Sequence, residues 1–178
     1  GVGPGMFTGT RVGIAVAHSY AHSLNIPIVC LSSLEIVAMA TRATNNLDGE
    51  VMVVRDARRS EFYIASYNFN DHSVSQIILD SSKVSTSSTR TVQESLISYA
   101  DLPILLDSFD GQLIYDEQSK KILENKLGQL QCFDSVIDTS FMIDCVQRSI
   151  ELGIVGDLYV PMPLYIRKSD AELSWTTT

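Results

Sequence analysis

The chain has 178 residues, of which 45% are hydrophobic and 19% charged, so it is long and apolar enough to bury a core. With 13 basic and 21 acidic residues its formal net charge is −8, which argues against unaided binding to a nucleic-acid backbone. Its 3 cysteines are widely spaced, form no CxxC pair and fit a reducing cytoplasm. No apolar run approaches the roughly 18 residues of a membrane span, so we expect no membrane contact.

The first predicted element is a helix over residues 9–23, preceded by a glycine-rich turn and capped by Thr8. A small residue recurs at every fourth position, which places a smooth stripe on one helix face. This stripe consists of Gly9, Gly13, Ala17 and Ala21. A row of larger apolar residues is formed by Val12, Val16 and Tyr20. Because the helix is apolar nearly all round, we expect it to pack on more than one side, within the chain or against a second chain.

Strands and helices alternate through the middle of the chain. A buried strand is predicted over 26–31, and Ser32 with Glu35 has the spacing of a capping box at the start of a helix over 33–43. Two strands, 51–56 and 61–67, form a hairpin, and a third is predicted over 74–80. Residues 81–91 are rich in serine and threonine and predict a loop.

The second half continues the alternation with shorter elements. We predict helices over 92–100, 117–127 and 139–152, and strands over 104–107 and 112–115. Together with the hairpin, these elements indicate an α/β protein with a mixed sheet covered by helices.

Few residues suggest chemistry on their own. A glycine-rich turn before a helix can bind phosphate through its amides and the helix dipole, but residues 1–5 lack the Lys-Ser/Thr pair of a P-loop. His18 and His22 share a helix face, yet Ser19 replaces the glutamate of a zinc-protease motif. We therefore predict neither a metal site nor a catalytic residue from these positions.

The hairpin contains two adjacent arginines, Arg58 and Arg59, within a stretch of mixed charge. A solvated turn with weak ion pairs is one interpretation. Contact with an anion or a partner is the other.

Four motifs, in order, resemble those of the TsaB (YeaZ) family. Residues 1–13, GVGPGMFTGTRVG, are similar to the family's G-x-GPGSFTG-x-R-x-G, with Met6 in place of serine. The stretches SSLE at 32–35 and DARRSEFY at 56–63 resemble its V-S-S-L-E and DARR-G-E-V-Y. PLYIR at 163–167 resembles its P-x-Y-L-R. The resemblance extends over nearly the whole chain.

This resemblance implies the actin-like ATPase fold, in which two lobes are each built on a ribonuclease H-like mixed sheet covered by helices. It implies that residues 1–31 belong to the N-terminal lobe, 32–160 form the C-terminal lobe, and 161–178 are a tail returning toward the N-terminal lobe. Because the chain opens at a glycine turn without a methionine, we expect its N-terminal lobe to be incomplete.

The resemblance also implies a function. Family members are non-catalytic scaffold subunits of the bacterial complex that adds threonylcarbamoyl to the adenosine next to the anticodon of tRNA. Such a subunit binds and activates the catalytic paralogue TsaD, is joined by the ATPase TsaE, and meets tRNA only through the complex. A homodimer, and an adenine nucleotide at the interface with TsaD, are further expectations. The alternative is a stand-alone ATPase or an M22 peptidase-like hydrolase of the same superfamily.

The resemblance assigns roles to particular residues. In the catalytic paralogue an H-x-E-x-H-type metal motif follows the corresponding strand, whereas here Ser33 and Val37 take the two histidine places. Glu35 remains, and one carboxylate cannot hold a metal firmly. The expected interface residues are Thr8, Gly9, Val12, Gly13, Val16, Ala17, Tyr20 and Ala21. The expected contacts to a phosphate, a nucleotide or the partner are Gly3, Gly5, Arg11, Arg58 and Arg59.

Overall fold

The computed structural model describes residues 1–69, 90–123, 127, 130–138, 140–143, 146–147 and 161–167. The helices in these ranges are α1 (Phe7–Leu24), α2 (Ser33–Asn45), α3 (Leu102–Asp107) and α4 (Glu117–Leu123). The strands are β1 (Glu50–Arg58), β2 (Glu61–Asn68), β3 (Arg90–Ser98), β4 (Gln112–Tyr115) and β5 (Gln131–Asp134).

The five strands form one mixed sheet in the order β3-β2-β1-β4-β5. Strands β1 and β2 pair antiparallel, with Val53 opposite Ala65, and β3 extends this meander beyond β2. Strand β4 pairs parallel with β1, with Ile114 opposite Val53, and β5 pairs parallel with β4. The sheet is therefore antiparallel at one edge and parallel at the other, as the predicted mixed α/β class requires.

Both faces of the sheet are buried. Successive side chains of a strand point to opposite sides, and each side carries an apolar cluster. On one face Val51 and Val53 pack with Leu34 and Val37 of α2. The opposite face carries an apolar cluster formed with α3, α4 and their neighbours. Its buried members are Met52, Val54, Phe62, Ile64, Leu102, Leu106, Leu113, Tyr115 and Leu123.

Helix α2 is capped at its start and bonded near its end to the segment that follows β5. At its start the Glu35 carboxylate accepts a hydrogen bond from the Ser32 backbone N–H at 3.4 Å, as the predicted capping box requires. Toward its end the buried Thr41 hydroxyl accepts a hydrogen bond from the Val136 N–H at 2.9 Å. The second bond fixes the segment that follows β5.

The first helix and the segment after it differ from the predicted elements. Helix α1 begins at Phe7, so its N-cap is Met6 and not Thr8. Residues 26–31 form no strand; Ile28 makes an isolated bridge, and only Leu31 is fully buried. The extended segment is nevertheless held in place, because Leu31 O accepts a hydrogen bond from the Val2 N–H at 2.8 Å.

Two further predictions were wrong, and one strand was missed. The helix predicted over 92–100 is strand β3, whose Ile97 lies opposite Phe62 in β2. The strand predicted over 104–107 is helix α3, which has a proline in its first turn, where the missing N–H costs no hydrogen bond. Strand β5 was not predicted. In each case pairing or packing with a distant segment decides the outcome.

The hairpin, α2, β4 and the start of α4 agree with their predictions. The strand predicted over 74–80 and most of the loop over 81–91 lie outside the described residues. Helical turns at 140–143 and 146–147 fall within the helix predicted over 139–152. The division of the chain at residues 31 and 160 into lobes stays a prediction. Among the described residues, no helix has the length and apolar character needed to cross a bilayer.

Candidate functional site

Helix α1 is attached to the rest of the described chain along one narrow face. Of its 18 residues, the buried ones are Ile14 and Ala21. Val12 is 57%, Val16 51% and Tyr20 67% exposed, so the predicted row of larger apolar residues faces outward. The expectation that the helix packs on more than one side is not met within the described chain.

The small-residue stripe is divided between the two sides of α1. Gly9, Gly13 and Ala17 are exposed, whereas Ala21 is buried against the chain. A Cβ added at Gly13 would meet nothing within 4 Å in the described part of the chain. No contact with a described residue therefore requires a glycine there, although glycine in a helix interior costs about 1 kcal/mol relative to alanine. We name the exposed set Gly9, Val12, Gly13, Val16, Ala17 and Tyr20 the apolar face of α1.

An arginine that contacts two neighbouring aromatic rings anchors the first turns of α1. The guanidinium carbon of Arg11 lies 3.7 Å from the ring centroid of Phe7 and 5.3 Å from that of Tyr165. Arg11 Nε also donates a hydrogen bond to the Tyr165 hydroxyl. Cation–π contacts of this kind add attraction beyond the apolar contact. Arg11 and Tyr165 are 154 positions apart in sequence, and their contact holds α1 against the C-terminal segment, which we define as residues 161–167.

The C-terminal segment also pairs with the glycine turn. The Leu164 N–H donates a hydrogen bond to Val2 O at 2.8 Å. Gly3 has a φ of +106°, and a Cβ there would lie 3.2 Å from Leu164 O. Both the left-handed backbone and this close approach require glycine at position 3. The first and last of the four sequence motifs are therefore in direct contact.

The turn of the β1–β2 hairpin is held by Arg167 of the C-terminal segment. Arg58, Arg59 and Ser60 have φ values of 62°, 53° and 59°, a conformation that costs L-residues energy. Arg167 Nη1 donates to Ala57 O at 2.9 Å, and its Nη2 donates to Arg58 O at 3.1 Å. Nη2 also pairs with the Glu61 carboxylate. These bonds stabilise the turn and link the second half of the DARR motif to the PLYIR motif.

The glycine turn, the hairpin turn and the C-terminal segment together enclose a groove of about 930 Å³. Its basic lining residues are Arg55, Arg58, Arg59 and Arg167, and its acidic ones are Asp56, Asp116 and Glu117. The remaining lining residues are Pro4, Gly5, Met6, Phe7, Thr8, Ala57, Tyr63, Gln118, Leu164, Tyr165 and Ile166. The groove therefore brings together charged, aromatic and aliphatic side chains from distant parts of the chain.

The carboxylates of the groove already have partners. Asp116 pairs with Arg55 at 3.4 Å, and Glu117 pairs with Lys121 at 2.7 Å. Asp56 Oδ1 accepts hydrogen bonds from the Tyr99 hydroxyl at 2.6 Å and from the Arg58 N–H at 2.7 Å. Burial and the Asp56 carboxylate raise the pKa of Tyr99 to about 12.

The residues expected to contact an anion do not all meet. Gly5, Arg58 and Arg59 line the groove, whereas Gly3 is buried outside its lining and Arg11 packs on the Phe7 and Tyr165 rings. His18 and His22 stack with ring centroids 6.3 Å apart. Within the described ranges, no group of 3 or more His, Cys, Asp or Glu side chains is arranged to hold a metal ion.

Sequence reasoning did not find Tyr99 or Asp116 as parts of this site. Tyr99 reaches it only because β3 is a strand, and Asp116 because β4 pairs parallel with β1. The capping bond from the Ser119 N–H to Asp116 Oδ1, at 2.8 Å, marks the start of α4. The sequence signal for Asp116 was its position three residues before Ser119, which is the spacing of a helix cap.

Comparison with solved structures defines the class. The chain superposes on an uncharacterised protein with similarity to peptidase YeaZ from Pseudomonas aeruginosa, with a TM-score of 0.67 and 19% identity over 94% of this chain and 71% of that one. YeaZ from the same organism gives a TM-score of 0.66. With its mixed sheet and covering helices, the chain is an α/β protein of the actin-like ATPase fold.

Comparison of sequences then gives the family. The model of the TsaD family, tRNA N6-adenosine threonylcarbamoyltransferase, matches residues 1–89. The tRNA threonylcarbamoyladenosine biosynthesis protein TsaB of Bacillus subtilis is 30% identical over 97% of this chain and 70% of its own length. The Escherichia coli TsaB is 34% identical over 42% of this chain and 32% of its own length. The chain belongs to the TsaB (YeaZ) family.

Proposed function

We propose that this chain is a non-catalytic scaffold subunit in bacterial tRNA threonylcarbamoyladenosine biosynthesis, and that it binds a TsaD-type catalytic subunit through the apolar face of α1. The observation that carries the proposal is the exposure of this face, on which Val12, Val16 and Tyr20 are each more than half exposed. A contiguous exposed apolar surface of this kind is typical of protein–protein interaction sites.

The glycines of the apolar face support a helix as the facing element. Small residues let two helix backbones approach closely, and the larger side chains beside them add apolar area. Gly13 fulfils no steric requirement among the described residues, which is the pattern expected if its role is to admit a neighbour. Ala21 was part of the predicted interface; it is buried within the chain, so we leave it out of the proposed surface.

The scaffold role is supported by the residues at the family's metal positions. Ser33 and Val37 stand where the catalytic paralogue has histidines, and Glu35 is buried and bonded to the Ser32 backbone. Glu35 therefore has a structural role at the start of α2. In this proposal the TsaE-type ATPase and the tRNA bind the assembled complex, and the catalytic chemistry belongs to the TsaD-type subunit.

The test is complex formation with the cognate TsaD-type subunit, measured by size-exclusion chromatography with light scattering. We expect a one-to-one complex that Ala17→Leu and Gly13→Leu abolish. Ala15→Leu is the matched control, because Ala15 is also exposed but lies about 160° around the helix from Ala17.

Two results would contradict the proposal. Retention of the complex by Ala17→Leu would exclude the apolar face as the docking surface. Turnover of ATP or a peptide by the purified chain, abolished by Ser33→Ala or Glu35→Gln, would favour the alternative of a stand-alone ATPase or hydrolase.

A further inference from the structure

The groove gathers arginines in an acidic protein, and its lining carries a small excess of basic over acidic side chains, 4 arginines to 3 carboxylates. The chain has 8 arginines and a formal net charge of −8, and 4 of these arginines line this one groove. They come from β1, from the hairpin turn and from the C-terminal segment, so the concentration does not follow from one basic stretch of sequence. A charge distribution that opposes the net charge of the protein is typical of a surface that meets an anionic partner.

One arginine of the groove is available to a ligand. Arg55 pairs with Asp116, and Arg167 is engaged by the hairpin turn and Glu61. The exposed Arg58 guanidinium has neither an ion pair nor a hydrogen bond within the described part of the chain, although the Arg58 main chain is bonded on both sides. An arginine of this kind offers a planar set of donors that fits a carboxylate in two parallel hydrogen bonds.

The position of Arg58 is determined by its neighbours. Its left-handed backbone is held by the Arg167 hydrogen bond to Arg58 O and by the Asp56 bond to its N–H. An energetically costly conformation persists only where surrounding contacts maintain it, and such conformations cluster at functional positions. Arg167 is thus a positioning residue for Arg58.

The rest of the lining favours a peptide over a phosphate group. The groove wall carries Met6, Phe7, Leu164 and Ile166, an apolar surface that a phosphate group alone would leave uncovered. Its volume of about 930 Å³ is at the upper end of the roughly 300–1,000 Å³ typical of small-molecule sites. Arginines beside aliphatic and aromatic side chains form a surface for an extended chain with acidic and apolar residues.

We propose that this groove binds an extended, glutamate- or aspartate-rich peptide segment of a partner protein, with Arg58 as the direct carboxylate contact and Arg167 as its positioning residue. This site is distinct from the apolar face of α1. It is tested with the chain alone, so its failure and a failure of the scaffold proposal are distinguishable.

The experiment measures fluorescence polarisation of a labelled hexaglutamate peptide on titration with the chain, with labelled hexalysine as the reverse-charge probe. We expect saturable binding of hexaglutamate that weakens about tenfold in Arg58→Gln, because a hydrogen-bonded charge contact is lost. Arg58→Lys keeps the charge without the planar donor set and is expected to fall between the two. Lys120→Gln is the control: it makes the same change in net charge, and Lys120 does not line the groove.

Three outcomes would overturn the proposal. Equal affinity of hexaglutamate for the unsubstituted chain and Arg58→Gln would exclude the direct contact. Equal binding of hexalysine would exclude charge recognition. Displacement of hexaglutamate by inorganic phosphate at lower concentration than by unlabelled hexaglutamate would assign the groove to phosphate. Arg167→Lys, which retains the charge but not the three hydrogen bonds, is expected to lower the affinity while the chain remains folded at the assay temperature, as a positioning role requires.

Discussion

The hydroxyl of Tyr99 donates a 2.6 Å hydrogen bond to Asp56 Oδ1, and this bond joins the end of β3 to the end of β1. The Tyr99 ring packs on Phe62, with centroids 4.3 Å apart. Burial and this carboxylate both disfavour the phenolate. The pKa of Tyr99 is accordingly raised from 10.0 to about 12.

This shift predicts a pH dependence of stability. Because the folded state holds the Tyr99 proton more tightly than the unfolded state, the stabilisation is complete below pH 10 and is lost as pH rises from 10 to about 12. We expect Tyr99→Phe to be less stable at neutral pH and to show a shallower loss over that interval, measured by urea unfolding. Tyr20→Phe is the control, because Tyr20 is 67% exposed. If Tyr99→Phe loses stability between pH 10 and 12 as steeply as the original chain, the pH dependence does not come from Tyr99.

Replacing Gly13 by alanine is expected to stabilise the isolated chain. A Cβ at this position meets no atom of a described residue within 4 Å, and alanine is about 1 kcal/mol more favourable than glycine in a helix interior. Thermal or urea unfolding of Gly13→Ala measures the gain. A loss of stability would show that α1 is covered at this point by another part of the same chain.

Replacing Gly111 by alanine is expected to destabilise the chain. A Cβ there would lie 2.6 Å from Glu50 O and 2.5 Å from the Phe109 ring. The ring can move, but the carbonyl belongs to β1 and cannot shift without disturbing the sheet. We expect Gly111→Ala to lower the free energy of unfolding by about 2 kcal/mol. A neutral result in urea unfolding would mean that the start of β4 is displaced from β1.

Removing the three hydrogen bonds of Arg167 is expected to destabilise the hairpin turn. We predict that Arg167→Met lowers the free energy of unfolding by about 2 kcal/mol, because Ala57 O, Arg58 O and the Glu61 carboxylate lose their donor together. Arg167→Lys should recover part of this loss through the ion pair alone. If urea unfolding shows the methionine variant to be as stable as the original chain, the C-terminal segment does not support the turn.

The bond between Thr41 and Val136 provides a test of how β5 is attached. Thr41→Val keeps the side-chain shape but leaves the Val136 N–H without its acceptor, which we expect to cost about 1–3 kcal/mol in urea unfolding. Thr44→Val on the same helix is the control, because the Thr44 hydroxyl donates only to Ala40 O one turn earlier. Equal losses in the two variants would show that the cost comes from valine in a helix and not from the lost bond.

The predictions that succeeded depend on local signals. The capping box at Ser32 and Glu35 marks the start of α2, and alternating residues on both sides of Arg59 and Ser60 mark the hairpin. The failures involve short apolar segments whose partners are distant. Ile97 became part of a strand because Phe62 lies opposite it, and no local pattern near Ile97 contains that information.

The candidate site shows the same division. The four motifs were recognisable one by one, and α1 was predicted as an apolar helix. That Val12, Val16 and Tyr20 face outward follows only from where Ile14 and Ala21 pack. The groove requires Arg167, Arg58 and Gly5 to meet, which depends on sheet pairing and on the path of the C-terminal segment.

The hydrogen bonds of Arg167 and Tyr165 have a consequence for the order of folding. They join residues 106, 109, 110 and 154 positions apart, whereas the hairpin closes between neighbours. Contacts between segments so distant in sequence form late, because the loop entropy must be overcome first. During synthesis, β1, β2 and β4 can pair before Arg167 leaves the ribosome, but the groove cannot close. A nascent chain can therefore form its sheet before the groove exists.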